Sequence, residues 1–474
     1  MSSGARPRPA AESADRALLT AAVLSGGAVL LAAVLGLTAL GSPAVWAIGV
    51  AAGGAVAVGL AAPSPLARLV GVLLLQVTQL GGEAGLSALE VVAGLALVGY
   101  LAHWYAVALA SGRPIVRTLF DVAAVAWGTV GFAAAVLLGL LFGPDPYDFR
   151  ADVLVTIPFL FYLPVKELCA EDDRAGLAIG VVLCVFGLVA TAQNALLFRG
   201  AVVGADALYE IADARFNVGE TSITAGLLIA LAHAALAPRR RRALVWIAVA
   251  GVLLVGLLVT KSRGFWIAAT FGILAMAVVA PGRGRRRIVG YGTVGVVAVV
   301  AVAFLLFGDQ LSLVALGALD RLISIGSAST DISLVNRFAE SAAVWERIRA
   351  NPILGHGWGV QVTHYSIIAQ GTSHWAFFHN GYLALWFKTG LWGLALMMTV
   401  WIGAAVRAAW ATRRLGLPLG LRASALGAGA TLAAFTPVAA SSNPFSVLDQ
   451  MLVVTLVMAL AHGTADRAKA LLGR

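Results

Sequence analysis

His379 and Asn380 stand nine residues ahead of Gly390-Leu391-Trp392-Gly393. A neutral imidazole accepts a proton from a hydroxyl group near neutral pH, and Asn380 either orients that ring or holds the substrate. Gly390 and Gly393 let a neighbouring helix or a lipid chain approach. The plainer alternative is an interfacial histidine followed by a helix-packing glycine pair. A second group is Thr260-Lys261-Ser262-Arg263-Gly264, a tight turn between two apolar runs. Its two cations need an anion to offset them: either a substrate phosphate, gripped by the Arg263 guanidinium with Lys261 adding a point charge, or the lipid phosphates that snorkelling side chains reach. Arg337 is the third piece. It either completes a cationic pocket with Arg263 or pairs with Glu340 or Glu346 in a surface network. His356 and His374 are supporting candidates. The histidine spacing fits no zinc motif, and no Asp, Glu or Cys lies between His356 and Gly393, so neither a metal site nor a cofactor is expected.

These side chains need elements to position them. Asp331 to Gly393 is a polar island in an otherwise apolar chain. Within it Phe338, Ala342, Trp345 and Arg349 recur at helical spacing, which predicts an amphipathic helix of about five turns. Asn351-Pro352 ends that helix, and Gly355-His356-Gly357-Trp358-Gly359 is a loop that brings backbone close to another element.

Around the island, the 474 residues are 60% hydrophobic and only 12% charged, against about a quarter charged in ordinary soluble domains. Repeated apolar runs long enough to cross ~30 Å of hydrocarbon make the fold all-α and polytopic, with about 12–14 transmembrane helices. The expected organisation is a tail over 1–16, eleven spans over 17–307, a long loop over 308–381, three spans over 382–463 and a tail over 464–474. The third span (66–80) and the sixth (151–165) are the shortest. Most of the 33 Lys and Arg fall in alternate loops, which places both termini in the cytoplasm and the long loop outside. The net charge of +10 is therefore topology rather than a nucleic-acid footprint. Cys169 and Cys184 form no CxxC motif or disulfide framework.

The His379-Asn380…Gly390-Leu391-Trp392-Gly393 spacing resembles the motif of the O-antigen ligase and Wzy-type repeat-unit polymerase superfamily of membrane glycosyltransferases. Ser262-Arg263-Gly264 at a span boundary is similar to that family too, as is the Arg337 helix followed by Asn351-Pro352-Ile353-Leu354-Gly355-His356-Gly357. The resemblance covers roughly residues 220 to 400. It implies a GT-C-like, inverting, metal-independent transferase in the bacterial inner membrane, with its site facing the periplasm or exterior. The implied donor is a glycan on undecaprenyl diphosphate, and the acceptor a glycan, lipid or protein hydroxyl. His379 would activate the acceptor; Arg263, Arg337 and Lys261 would hold the diphosphate. Membrane lipids are partners and nucleic acid is not. Ligase, polymerase and protein O-oligosaccharyltransferase remain open within the family. A lipid-linked glycan flippase or secondary transporter is the reading from another class, and an envelope scaffold a third.

Overall fold

The computed structural model describes residues 64–76, 88–204, 216–291 and 332–473. The expected spans over 17–40, 44–62 and most of 288–307 lie outside these residues, as does the start of the long loop through Asp331. The chain divides into two compact units, 1–115 and 116–474. In the first, α1 (Pro65–Leu75) and α2 (Ala88–Ala110) are described. Ser64 caps α1, its hydroxyl accepting from the Ala67 amide, and Gln76 ties the pair together by donating to the Ala93 carbonyl at 2.9 Å.

The second unit is a helical bundle. Its elements are α3 (Leu119–Ala126), α4 (Phe132–Phe142), α5 (Pro146–Thr156), α6 (Tyr162–Glu171), α7 (Ala175–Gly204), α8 (Glu220–Leu236), α9 (Arg240–Val259) and α10 (Arg263–Val279). After the polar helix α11 (Ile332–Ala350) comes a hairpin of β1 (Val362–Ser366) and β2 (Gly371–Trp375). The chain finishes with α12 (Gly381–Arg413), α13 (Leu419–Ser441) and α14 (Leu448–Leu472). Among the described residues eight helical segments are long and apolar enough to cross a membrane, and α1, α8 and α10 are shorter apolar helices. The protein is an all-α polytopic membrane protein.

Helix α8 sits at the centre, with every residue buried. Small residues let its neighbours close on it: a Cβ at Gly427 of α13 would lie 2.8 Å from the Ile229 backbone, and one at Gly187 of α7 only 2.9 Å from the Ser222 carbonyl oxygen. Without a hydrophobic drive between helices in lipid, such close contact is what holds spans together.

Two segments depart from the sequence reading. The sixth span runs over Pro146–Glu171 rather than 151–165, because Asp152 and Lys166, which interrupt the apolar pattern, are buried in ion pairs with Lys388 and Asp121. The polar island also contains the β1–β2 hairpin, pairing Val362 with Trp375 through Ser366 with Gly371. Its turn is fastened to α11 by the Ile367 amide, which donates to Asn336 Oδ1 at 2.8 Å.

Candidate functional site

Helix α11 spans about five turns and ends before Asn351-Pro352, as its periodicity predicts. It buries the side away from the Phe338–Ala342–Trp345–Arg349 stripe. Asn336, Glu340, Val344 and Ile348 point inward, whereas Phe338, Ala342, Trp345 and Arg349 are exposed. Val344 and Ile348 pack with Val362, Phe378, Ala384 and Phe387 in a small apolar cluster. That cluster clamps α11 and the hairpin against the first turns of α12.

The inward face carries the main geometric finding. Glu340, whose side chain is only 4% exposed, receives two hydrogen bonds from His379: the backbone amide donates to Oε1 at 2.6 Å, and Nδ1 lies 2.9 Å from Oε2. With the carboxylate as acceptor, the neutral form of the ring carries its proton on Nδ1 and keeps its lone pair on Nε2. The His379 ring is 34% exposed and Nε2 has no hydrogen-bond partner among the described residues. Glu340 is a residue the sequence reading treated only as a surface partner for Arg337. The available signal was a carboxylate on the same helical face as Val344 and Ile348, where burial demands a partner.

Asn380 does not orient the ring. Its side-chain carbonyl accepts from the Tyr382 and Leu383 amides, both at 3.1 Å, and so caps α12. Nine residues on, Gly390 breaks that helix with φ 73° and ψ 175°. The spacing between the His-Asn pair and the glycine is therefore the length of one short helical segment, 381–389, between its cap and its break. What approaches Gly390 is a loop rather than a helix or lipid: a Cβ there would lie 2.0 Å from the Ile353 carbonyl oxygen. At this break the hydrogen bonds cross over. The Leu391 amide donates to Pro352 O, while the Phe387 and Lys388 carbonyls accept from the His356 and Gly357 amides at 2.7 and 3.0 Å. The glycine-rich loop thus supplies the rungs that the broken helix lacks. Gly393 faces the Thr389 side chain.

Ser441 and Ser442, at the end of α13, gather the remaining pieces. Arg337 Nη1 donates to the Ser441 carbonyl at 2.7 Å, and the Gly381 amide donates to the Ser442 carbonyl at 3.2 Å. Gly264 is turned toward the same place, a Cβ there lying 3.7 Å from Ser441 Oγ. Arg263 is the first residue of α10, and the preceding Lys261, at φ 52°, is buried with its ammonium 5.5 Å from the Phe198 ring centroid. A cation at a helix N-terminus opposes the macrodipole. One end of α13 thus joins the start of α10, the Arg337 turn of α11 and the His379-Asn380 entry to α12.

Two predicted supporting residues sit elsewhere. His356 Nε2 bonds the Arg347 carbonyl at 2.9 Å and its ring stacks on Phe387, which braces the loop against α12. His374 lies on the hairpin, its Nδ1 2.9 Å from Thr363 Oγ1. Lys388 is buried in an ion pair with Asp152 and lies 5.9 Å from the Trp358 ring centroid, so it is a paired charge rather than a snorkelling one.

Residues 248–398 match the family model described as O-antigen ligase. That match takes in Arg263, Arg337, Glu340, His379, Asn380, Gly390 and Gly393, and supports membership of the O-antigen ligase and Wzy-type superfamily. No curated protein matches the chain.

Proposed function

We propose that the protein is a GT-C-like, inverting, metal-independent glycosyltransferase of the O-antigen ligase type. It moves a glycan from undecaprenyl diphosphate to an acceptor hydroxyl, on lipid A-core or another surface acceptor, at the outer face of the bacterial inner membrane. The observation that carries this reading is the His379–Glu340 pair, which leaves Nε2 of His379 open while Glu340 shares helix α11 with Arg337. In the proposed step the acceptor oxygen forms a bond to the anomeric carbon as the bond from that carbon to the diphosphate breaks. The hydroxyl proton passes to His379 Nε2, and the Glu340 carboxylate offsets the imidazolium charge. Arg263, Arg337 and Lys261 bind the diphosphate and stabilise it as it leaves. Repeat-unit polymerisation and protein O-glycosylation use the same step with a different acceptor.

The test is transfer by purified protein supplied with an undecaprenyl-diphosphate glycan and a panel of acceptors, with and without chelator. His379→Ala, Arg263→Ala and Arg337→Ala should each abolish most product while chelator leaves it unchanged. Full transfer by all three variants would overturn the site, and loss with chelator would overturn metal independence.

A transporter or flippase draws its support from buried charges: Asp121, Lys166, Arg407 and Asp466 meet between α3, α6, α12 and α14. Coupled transporters keep such groups in their spans. Translocation of labelled lipid-linked glycan in proteoliposomes, with no product formed on any acceptor, is the result that would select this second reading.

A further inference from the structure

Helix α11 carries a second apolar stripe, which among the described residues is exposed except where Trp345 meets α12. Val335, Phe338, Ala342 and Trp345 recur at three- and four-residue spacing, which at 100° per residue turns them about 160° away from the buried Asn336, Glu340, Val344 and Ile348. Phe338 is 65% exposed and Trp345 41%. Arg349 closes the stripe, its guanidinium held 3.2 Å from Glu346.

This stripe is continuous with the surface of a membrane span. The Trp345 ring meets the Trp386 ring of α12 edge-on, with centroids 5.5 Å apart, and Trp386 Nε1 donates to the Pro352 carbonyl at 2.8 Å. Beside them Ile353 and Leu354 are exposed, followed by Leu391 on α12 itself. Water is a poor solvent for such a surface. A bilayer boundary suits it: tryptophans collect at headgroup level, and an interfacial helix pairs one apolar face with flanking cations that reach lipid phosphates.

We propose that the Val335–Phe338–Ala342–Trp345 face of α11 lies in the bilayer interface, with phospholipid acyl chains and headgroups as its occupant. The helix then serves as an anchor that fixes Arg337 and Glu340, on its other face, at the depth of lipid headgroup phosphates. The anchoring rests on exposure and continuity, independent of whether the site transfers a glycan.

The test is site-directed nitroxide labelling of the full-length protein in nanodiscs of phosphatidylethanolamine and phosphatidylglycerol. Phe338→Cys and Ala342→Cys are compared with Arg347→Cys, which is exposed and about 160° from the stripe; the parent is the control, since Cys169 and Cys184 are both buried. Power saturation with oxygen and with a water-soluble nickel chelate reads the environment. Positions 338 and 342 should favour oxygen severalfold more than 347, which should favour nickel. Nickel preference at all three positions would place the stripe in water and overturn the proposal. Exclusion of both reagents at 338 and 342 would mean that protein covers the stripe, and overturns it equally. Should Phe338→Cys fail to give a monodisperse protein, Val335→Cys reports on the same face.

Discussion

His379 and His462 belong to the same bundle and meet opposite fates. His462, on α14, uses both ring nitrogens: Nδ1 lies 3.0 Å from Arg407 Nη1 and Nε2 3.0 Å from the Val400 carbonyl. Around it, Asp466 bridges Lys166 and Arg407, and Lys166 also holds Asp121. Each of those charges has its counter-ion, and the ring is fully buried. His379 uses Nδ1 alone, and its ring reaches the surface. Both rings have a charged neighbour and a fixed orientation. They differ in one uncommitted nitrogen, which is what proton transfer requires and what a structural lock excludes. The two clusters also lie toward opposite ends of α14, since Leu448 and Asp466 are separated by about 27 Å of helix.

Substitutions can break this contrast. His379→Ala should lower transfer by about 10²–10⁴-fold, the usual contribution of a general base, with unchanged yield and melting temperature; comparable loss of both activity and fold would erase the distinction. Asp466→Ala should instead remove on the order of 3 kcal/mol of stability, because Lys166 and Arg407 are left buried without their shared partner. Thermal unfolding in detergent reads that loss. Glu340→Gln keeps the shape but removes the charge that fixes the His379 tautomer, so transfer should fall roughly 10–100-fold while acceptor KM stays constant. The smallest change is expected from His462→Leu, about 1–2 kcal/mol of stability at the Arg407 and Val400 groups it leaves unpaired, with transfer at low temperature preserved. Transfer that collapses in His462→Leu without a fall in melting temperature would move the chemistry to the wrong cluster.

Much of this architecture is legible in the sequence, because span length is set by bilayer thickness and few other folds need such long apolar runs. Among the described residues eight helical segments have the length and apolarity that composition leads one to expect. The His379-Asn380 and Gly390 positions are also visible, since their spacing is local. The Glu340 contact is not: it joins residues 39 apart through a hairpin that no periodicity announces. The buried face of α11 is hidden for a physical reason. Two stripes run along it, and the rule that places Phe and Trp inward assumes that the outside is water. The Gly390 break is equally hidden, because glycine in an apolar run reads as helix packing until the loop that replaces its rungs is placed.

That replacement has a kinetic consequence. With the Leu391 amide given to Pro352 and the carbonyls of Phe387 and Lys388 satisfied from His356 and Gly357, neither partner can open without stranding backbone groups of the other in apolar surroundings. The loop and the first segment of α12 must therefore open as one unit. In hydrogen exchange the His356 and Gly357 amides, though they lie in a loop, should be protected to the same degree as the helical amides of 385–389.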